Sequence, residues 1–239
     1  MDLEKNIKNA VGQNTDENFM IYFPTILFLI FLFIISLPAI FVFLYFKIIT
    51  LGFENLGFSP ALTLFLLFLM LIGSFFNLPL TKKRIILKKK SYFFNLFNIP
   101  FFEIEGIAIN FGGGVIPILL SLYFLFSLWK MKFPLEPVIL ATLLMILLCF
   151  CLARVIPKKG ICLPVFVPPF FSAVFALLFA PQYPAPTAFI AGVLGTLIGA
   201  DILHLKEIQK YGGYLSIGGA GVFDGIFLVG IISALLAGK

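Results

Sequence analysis

No Asp, Glu, Lys or Arg interrupts the chain from Ile21 to Phe46. A helix needs about 20 apolar residues to cross a bilayer, so this run is long enough to span with tilt. Comparable stretches recur at about 59–80, 106–129, 137–155, 161–180, 185–205 and 215–237. Only 12% of the 239 residues are charged and 61% are apolar, whereas a soluble globular domain carries about 25% charged residues. The expected fold class is therefore an all-α polytopic membrane protein of about seven transmembrane helices, several of them broken by glycine or proline. Residues 1–20 read as a polar cytoplasmic N-terminal segment. Residues 21–239 read as a single integral membrane domain, with a basic cytoplasmic loop at 81–105 and a diacid helix pair at 185–237. Asp2, Glu4, Asp16 and Glu17 mix with Lys5 and Lys8 ahead of the first apolar run, so no secretory signal is expected there.

Charge placement orients the chain. Assigning Lys and Arg to alternate sides of seven crossings puts 13 of the 17 on the N-terminal side and 4 on the other. The positive-inside rule then predicts a cytoplasmic N-terminus, an external C-terminus and residence in the cell's inner (plasma) membrane. Lys82, Lys83, Arg84, Lys88, Lys89 and Lys90 crowd one short loop, which fits contact with anionic lipid headgroups. No recognition module accompanies the net charge of +6, so nucleic acid is not an expected partner. The downstream apolar stretch, with Asn95, Asn98 and Pro100, is expected to lie along the membrane interface.

Cys149, Cys151 and Cys162 do not make a disulfide framework and read as small packing residues. The single histidine, His204, has no cysteine pair at ligand spacing, so neither a metal nor another cofactor is expected. The 32 phenylalanines read as packing and lipid-facing bulk.

Glycine and proline clusters inside apolar runs mark places where the backbone is packed against protein or lines a water-filled space. Such clusters are NFGGGVIP (Asn110, Gly112, Gly113, Gly114, Pro117), LPVFVPPF (Pro164, Pro168, Pro169) and SIGGAGVFDG (Gly218, Gly219, Gly221, Gly225). The first supplies candidate pocket-lining residues. Gly192, Gly195 and Gly199 recur at helical spacing on one face, so the last two membrane helices should be close neighbours.

Of the eleven acids, Asp201 and Asp224 alone are expected inside spans, on those two helices. Burying a carboxylate at a helix centre costs about 2.5 to 3.5 kcal/mol, which makes an intramembrane acid a functional candidate. If SIGGAG is a loop and the last helix begins near Gly221, both acids sit at similar depth and can face each other. Two such carboxyls would share a proton, giving one acid and one base. They could activate water against a carbonyl or carry protons for transport. Gly199, His204, Gly218, Gly219, Gly221 and Gly225 would support the pair. A plainer role is also open: Asp201 can pair with His204, three residues away, and Asp224 can accept N–H bonds at its helix start.

The segments GTLIGADILHL and SIGGAGVFDGIFLVGI resemble the C-terminal signature of an uncharacterised family of prokaryotic multi-pass membrane proteins, known only as a domain of unknown function. That resemblance implies a membrane location and no reaction. A more distant similarity is to the presenilin, signal-peptide-peptidase and prepilin-peptidase group, whose paired aspartates sit on two membrane helices. Asp201 and Asp224 would take those places, with Gly219 and Gly221 as the motif glycines and Val222 and Phe223 between Gly221 and the acid. The resemblance implies an intramembrane aspartyl-type hydrolase acting on membrane peptides. A proton- or ion-coupled small-solute transporter using the same acids, with NFGGGVIP and SIGGAG as broken helices, is the alternative. A non-catalytic membrane scaffold is the third.

Overall fold

A computed structural model describes residues 2–81, 84–92, 97–156, 160–211, 213–219 and 225–238, with side chains placed in 25–81 and from 105 onward within those limits. The protein is mostly helical. Seven helices are described: α1 Asp2–Asn55, α2 Pro60–Gly73, α3 Phe111–Lys130, α4 Glu136–Leu152, α5 Val167–Phe179, α6 Pro184–Gln209 and α7 Gly225–Ala237. They match the seven apolar stretches of the sequence one for one. Three are long and apolar enough to cross a membrane: α1 over Thr25–Asn55, α3 and α6.

The other helices are shorter than their apolar runs. The second run extends to Leu80, but α2 ends at Gly73 and the chain turns into strand β1, Asn77–Pro79. Pro79 lacks an N–H and cannot continue a helix. Ser59 caps α2 from outside, its side chain accepting from Leu62 N–H. The prolines of LPVFVPPF do not interrupt a span. Pro168 and Pro169 lie in the first turn of α5, where an N–H has no intrahelical partner and proline's fixed φ suits the helix.

Residues 81–105 were expected as a loop with an interfacial segment, and they contain strands instead. Strand β2, Arg84–Tyr92, pairs antiparallel with β3, Phe97–Asn110, in the register Arg84↔Glu105 through Tyr92↔Phe97. The far end of β3 pairs antiparallel with β1 and parallel with β6, Tyr214–Ile217. The third helix therefore starts at Phe111, not at Gly106, because Gly106–Asn110 is held in the sheet. A second small sheet joins β4, Arg154–Ile156, to β5, Gly160–Cys162. Among the basic cluster, Lys82 and Lys83 lie outside the described residues.

Residues 1–47 and 48–239 form two compact units. In the first, the side chains of α1 from Thr25 onward are exposed almost all round, with Phe28 at 61% and Phe41 at 71%. A helix that is apolar on every face has no soluble solution, which fits a lipid-facing span. In the second unit, Phe53, Phe58, Phe124 and Phe189 form a chain of edge and tilted ring contacts, centroids 5.4 to 5.7 Å apart. Several phenylalanines are thus packing residues, while Phe65, Phe68, Phe126 and Phe170 are exposed. Central α6 is mostly buried against α4, α5 and α7.

Candidate functional site

Asp201 sits where α6 changes pitch. Thr196–Ile202 (TLIGADI) is π-helical and leads into α-helical Leu203–Gln209. Single π-turns within longer helices are uncommon and concentrate at functional places. Glycines let this segment press on α4. A Cβ on Gly199 would collide with the Ile146 carbonyl oxygen, and one on Gly195 would meet Met145 Cβ at 2.5 Å. Cys149 of α4 is fully buried, with its Sγ 3.9 Å from the buried Thr196 Oγ1. Asp201 itself is half-buried.

His204 is buried, one turn beyond Asp201. Its Nδ1 lies 2.9 Å from the Ala200 carbonyl and 3.2 Å from that of Gly199. Carbonyl oxygens only accept, so Nδ1 carries the proton and donates to the loosened helix. The imidazole leans on Phe150, ring centroids 5.0 Å apart. That nitrogen is spent on stabilising the π-helical turn.

The glycine face of α6 divides its contacts. Gly192 meets Val229 and Ser233 of α7 and Ser172 of α5, whereas Gly195 and Gly199 meet α4. The expected closeness of α6 and α7 is present, helped by Gly230, whose Cβ position falls 2.5 Å from Val193. The other two glycines serve a second seam, because α6 is surrounded by several helices. Ala188 shares a buried cluster with Ala237, and Gly192 lies beside Val229 and Ser233, so α6 and α7 run antiparallel. From that level Asp201 is 13 residues on, about 20 Å at 1.5 Å per residue. Gly225, the first described residue of α7, is 12 residues back from Ala237, about 18 Å. Asp201 and Gly225 therefore stand at nearly the same depth, and α7 packs against the π-helical turn. Asp224 and Gly221 lie outside the described residues.

The two glycine motifs meet at the ends of parallel strands β3 and β6. Asn110 ends β3, is fully buried, and caps the π-helical start of α3 (Phe111–Val115) by accepting from Gly113 N–H at 3.0 Å. Its Nδ2 donates to the Ser74 carbonyl at 2.7 Å and to Asn77 Oδ1 at 3.0 Å. Ser216 of β6 donates to the same Asn77 oxygen at 2.6 Å. Gly218 follows β6 with φ +69°, and a Cβ there would lie 2.5 Å from Gly114 N and 2.6 Å from Gly113 C. Gly112 is as tightly enclosed, by the Met70 carbonyl oxygen and Ser74 N. Pro117 is buried in the first α-helical turn beyond. Gly219 makes a turn, its N–H donating to the Ser216 carbonyl at 3.2 Å. Leu215–Ile217 is strand and Gly218–Gly219 a turn, so the described part of SIGGAG is not helical, and 220–224 lie outside the described residues.

The model of one protein family, described as "Protein of unknown function (DUF1614)", matches residues 71–236. The chain belongs to this family. The DUF1614 match begins near the end of α2, so it takes in both glycine motifs, Asp201 and Asp224, and leaves out all of α1. The chain matches no curated protein and no solved structure.

Several residues of the DUF1614 region that shape the site escaped the sequence reading. Asn77 and Ser216 are 139 positions apart, and nothing local announces that they share an oxygen. Thr196 and Cys149 look like ordinary span residues. Asn110, read from the sequence only as pocket lining, stands before a glycine run, a signal for the cap it forms. Among the described residues no cluster of His, Cys, Asp and Glu could hold a metal ion.

Proposed function

We propose that this protein is an intramembrane hydrolase of the aspartyl type, peptidase-like, with Asp201 and Asp224 as its acid and base. One observation carries the reading: Asp201 stands at nearly the depth of Gly225, the first described residue of α7, and Asp224 precedes Gly225 in the sequence. Two carboxyls so placed share one proton. The ionised one takes a proton from water as it attacks a peptide carbonyl. The protonated one gives its proton to the departing amine. The arrangement is similar in kind to the presenilin and prepilin-peptidase pairs, with Gly218, Gly219, Gly221 and Gly225 allowing the chain to turn into the second acid's helix. His204 and Gly199 hold the π-helical turn that presents the first. The orientation is N-terminus cytoplasmic and C-terminus external in the inner (plasma) membrane, which sets the acids near the cytoplasmic leaflet beside Lys206 and Lys210.

The test uses purified protein in proteoliposomes with a mixed population of single-span membrane peptides. Cleavage should be lost in Asp201→Ala and separately in Asp224→Ala. Cleavage that survives either change removes the hydrolase reading.

A second reading, proton- or ion-coupled transport of a small solute, is favoured by the direct backbone meeting of Gly113–Gly114 with Gly218. Non-helical backbone meeting beside the ends of apolar helices is similar in kind to the discontinuous segments with which secondary transporters build midplane sites. Its test is pH-driven uptake into liposomes: Asp224→Asn should abolish it, and unchanged flux counts against transport. A protein that passes neither test acts as a membrane scaffold.

A further inference from the structure

The end of α1 lies outside the DUF1614 match but inside the second compact unit, which begins at Ile48. The surroundings of the helix change there. Upstream its apolar side chains are exposed almost all round, whereas Ile49 and Phe53 are fully buried. Helix α7 lies against this segment. A Cβ on Gly52 would fall 2.6 Å from Ile231 Cγ2 and 2.9 Å from the Ile231 carbonyl oxygen. The ring centroids of Phe53 and Phe227 are 6.2 Å apart, and both side chains are fully buried. Asn55 Nδ2 donates to the Leu235 carbonyl at 3.3 Å and the Ala234 carbonyl at 3.5 Å. Those carbonyls belong to the last turn of α7, where helical partners run out. The contacts thus follow α7 from Phe227 to Leu235, eight residues or about 12 Å of its length.

Another side of α7 is held by α6. Gly230 packs on Val193 and Phe189, and Phe53 is linked to that same Phe189 through the rings of Phe58 and Phe124. Gly230 and Ile231 are adjacent, so α6 and the end of α1 grip one turn of α7 between them. That turn is six residues from Gly225, about 9 Å. Packed helices transmit displacement because the interior is dense and stiff. A shift of the gripped turn is therefore carried to Gly225 and to Asp224, which is bonded to it.

We propose that Gly52, Phe53 and Asn55 are positioning residues of the paired-acid site, fixing α7 so that Asp224 meets Asp201. The proposal rests on the hydrolase reading above, and it extends the working unit upstream of residue 71, where the family match begins. Gly52 supplies the notch, since only a residue without a Cβ admits Ile231 this closely. Phe53 packs beside the first described turn of α7, and Asn55 ties off the last. All three act through α7 and not on the substrate.

The test keeps the full chain in lipid bilayers and compares Gly52→Ala, Asn55→Asp, Asn55→Gln and Gly57→Ala. Ordinary contact between carbons begins at about 3.5 Å, so a Cβ at Gly52 must displace Ile231 by about 1 Å. Misplacement of that size far from the chemistry can cost about a hundredfold in rate. Gly52→Ala should therefore lower kcat for membrane-peptide cleavage by about a hundredfold with KM unchanged. In an Asp2→Asn/Asp16→Asn background with carboxyl-13C aspartate, it should also lengthen the Asp201–Asp224 carboxyl distance by about 1 Å in solid-state NMR. Asn55→Asp cannot donate and faces carbonyl oxygens, so it should lower kcat in the same sense, whereas Asn55→Gln keeps the amide donor and should not. Gly57→Ala is the control for general loss of stability: nothing lies within 4 Å of its Cβ position, and it should move neither kcat nor the carboxyl distance. Wild-type kcat and carboxyl distance in Gly52→Ala, or in Asn55→Asp should Gly52→Ala not fold, overturn the proposal. So does a Gly57→Ala protein that behaves like Gly52→Ala. Failure of the hydrolase reading has a different signature: the unaltered protein then shows no cleavage and uncoupled carboxyls, and the positioning role falls with it.

Discussion

Gly57 and Gly218 form a matched pair. Both have positive φ, +85° and +69°. A Cβ at Gly57 meets nothing within 4 Å, whereas one at Gly218 falls 2.5 to 2.8 Å from backbone atoms of Gly113 and Gly114. Alanine at Gly57 therefore costs only the left-handed conformation, about 1 to 2 kcal/mol. Alanine at Gly218 adds an overpacking cost of about 1 to 3 kcal/mol, since the neighbour is backbone and not a flexible side-chain end. The combined cost at Gly218 is about 2 to 5 kcal/mol. At about 2 to 4 °C per kcal/mol for a chain of this size, Gly57→Ala should lower Tm by about 2 to 8 °C and Gly218→Ala by about 4 to 20 °C. Thermal unfolding of the two variants in the same mild detergent, side by side, reads the difference. Equal shifts would refute the close approach of the two glycine motifs.

Other consequences follow from the same contacts. Gly199→Ala should push the π-helical turn of α6 off α4, lowering stability by about 1 to 3 kcal/mol in thermal unfolding and reducing whichever activity the Asp201 assays detect. Asn110→Ala strands the Gly113 N–H and the Ser74 carbonyl in a buried place, an expected loss of about 2 to 4 kcal/mol, with Asn110→Asp no better because it cannot donate to Ser74. Cys162 is exposed and Cys149 buried, so a membrane-impermeant maleimide should label Cys162 in inverted vesicles and leave Cys149 unlabelled until the protein is unfolded. Labelling of Cys162 in intact cells would reverse the proposed orientation.

Much of the helical plan was legible because charge-free runs of 20 or so residues have few solutions other than a membrane helix or a buried one. Their ends were not. An apolar run reads the same whether it stays helical or passes into strand, so Asn77–Pro79 and Gly106–Asn110 were hidden inside spans two and three. Strand β6 was hidden likewise, because its partner β3 lies about a hundred residues away and long-range pairing leaves no local mark. The proline cluster misled by position: the same residues that break a helix in its middle open one at its first turn. At the site, small residues gave the correct neighbour for Gly192 but not for Gly195 and Gly199, since spacing defines a face and not which helix covers it. The π-helical pitch around Asp201 has no single-residue signature, and it became visible only through its consequences, His204 bonding back to Ala200 and Thr196 meeting Cys149.

The account rests on Asp201 and Asp224 being neighbours. The chain has four aspartates, Asp2, Asp16, Asp201 and Asp224, so an Asp2→Asn/Asp16→Asn variant carrying carboxyl-13C aspartate leaves only the pair labelled. Solid-state NMR of that protein in lipid bilayers measures the carbon–carbon distance by dipolar recoupling. A separation of about 6 Å or less, the range in which carboxyls couple, is the predicted result. The absence of any recoupling out to about 8 Å, well beyond that range, would contradict it.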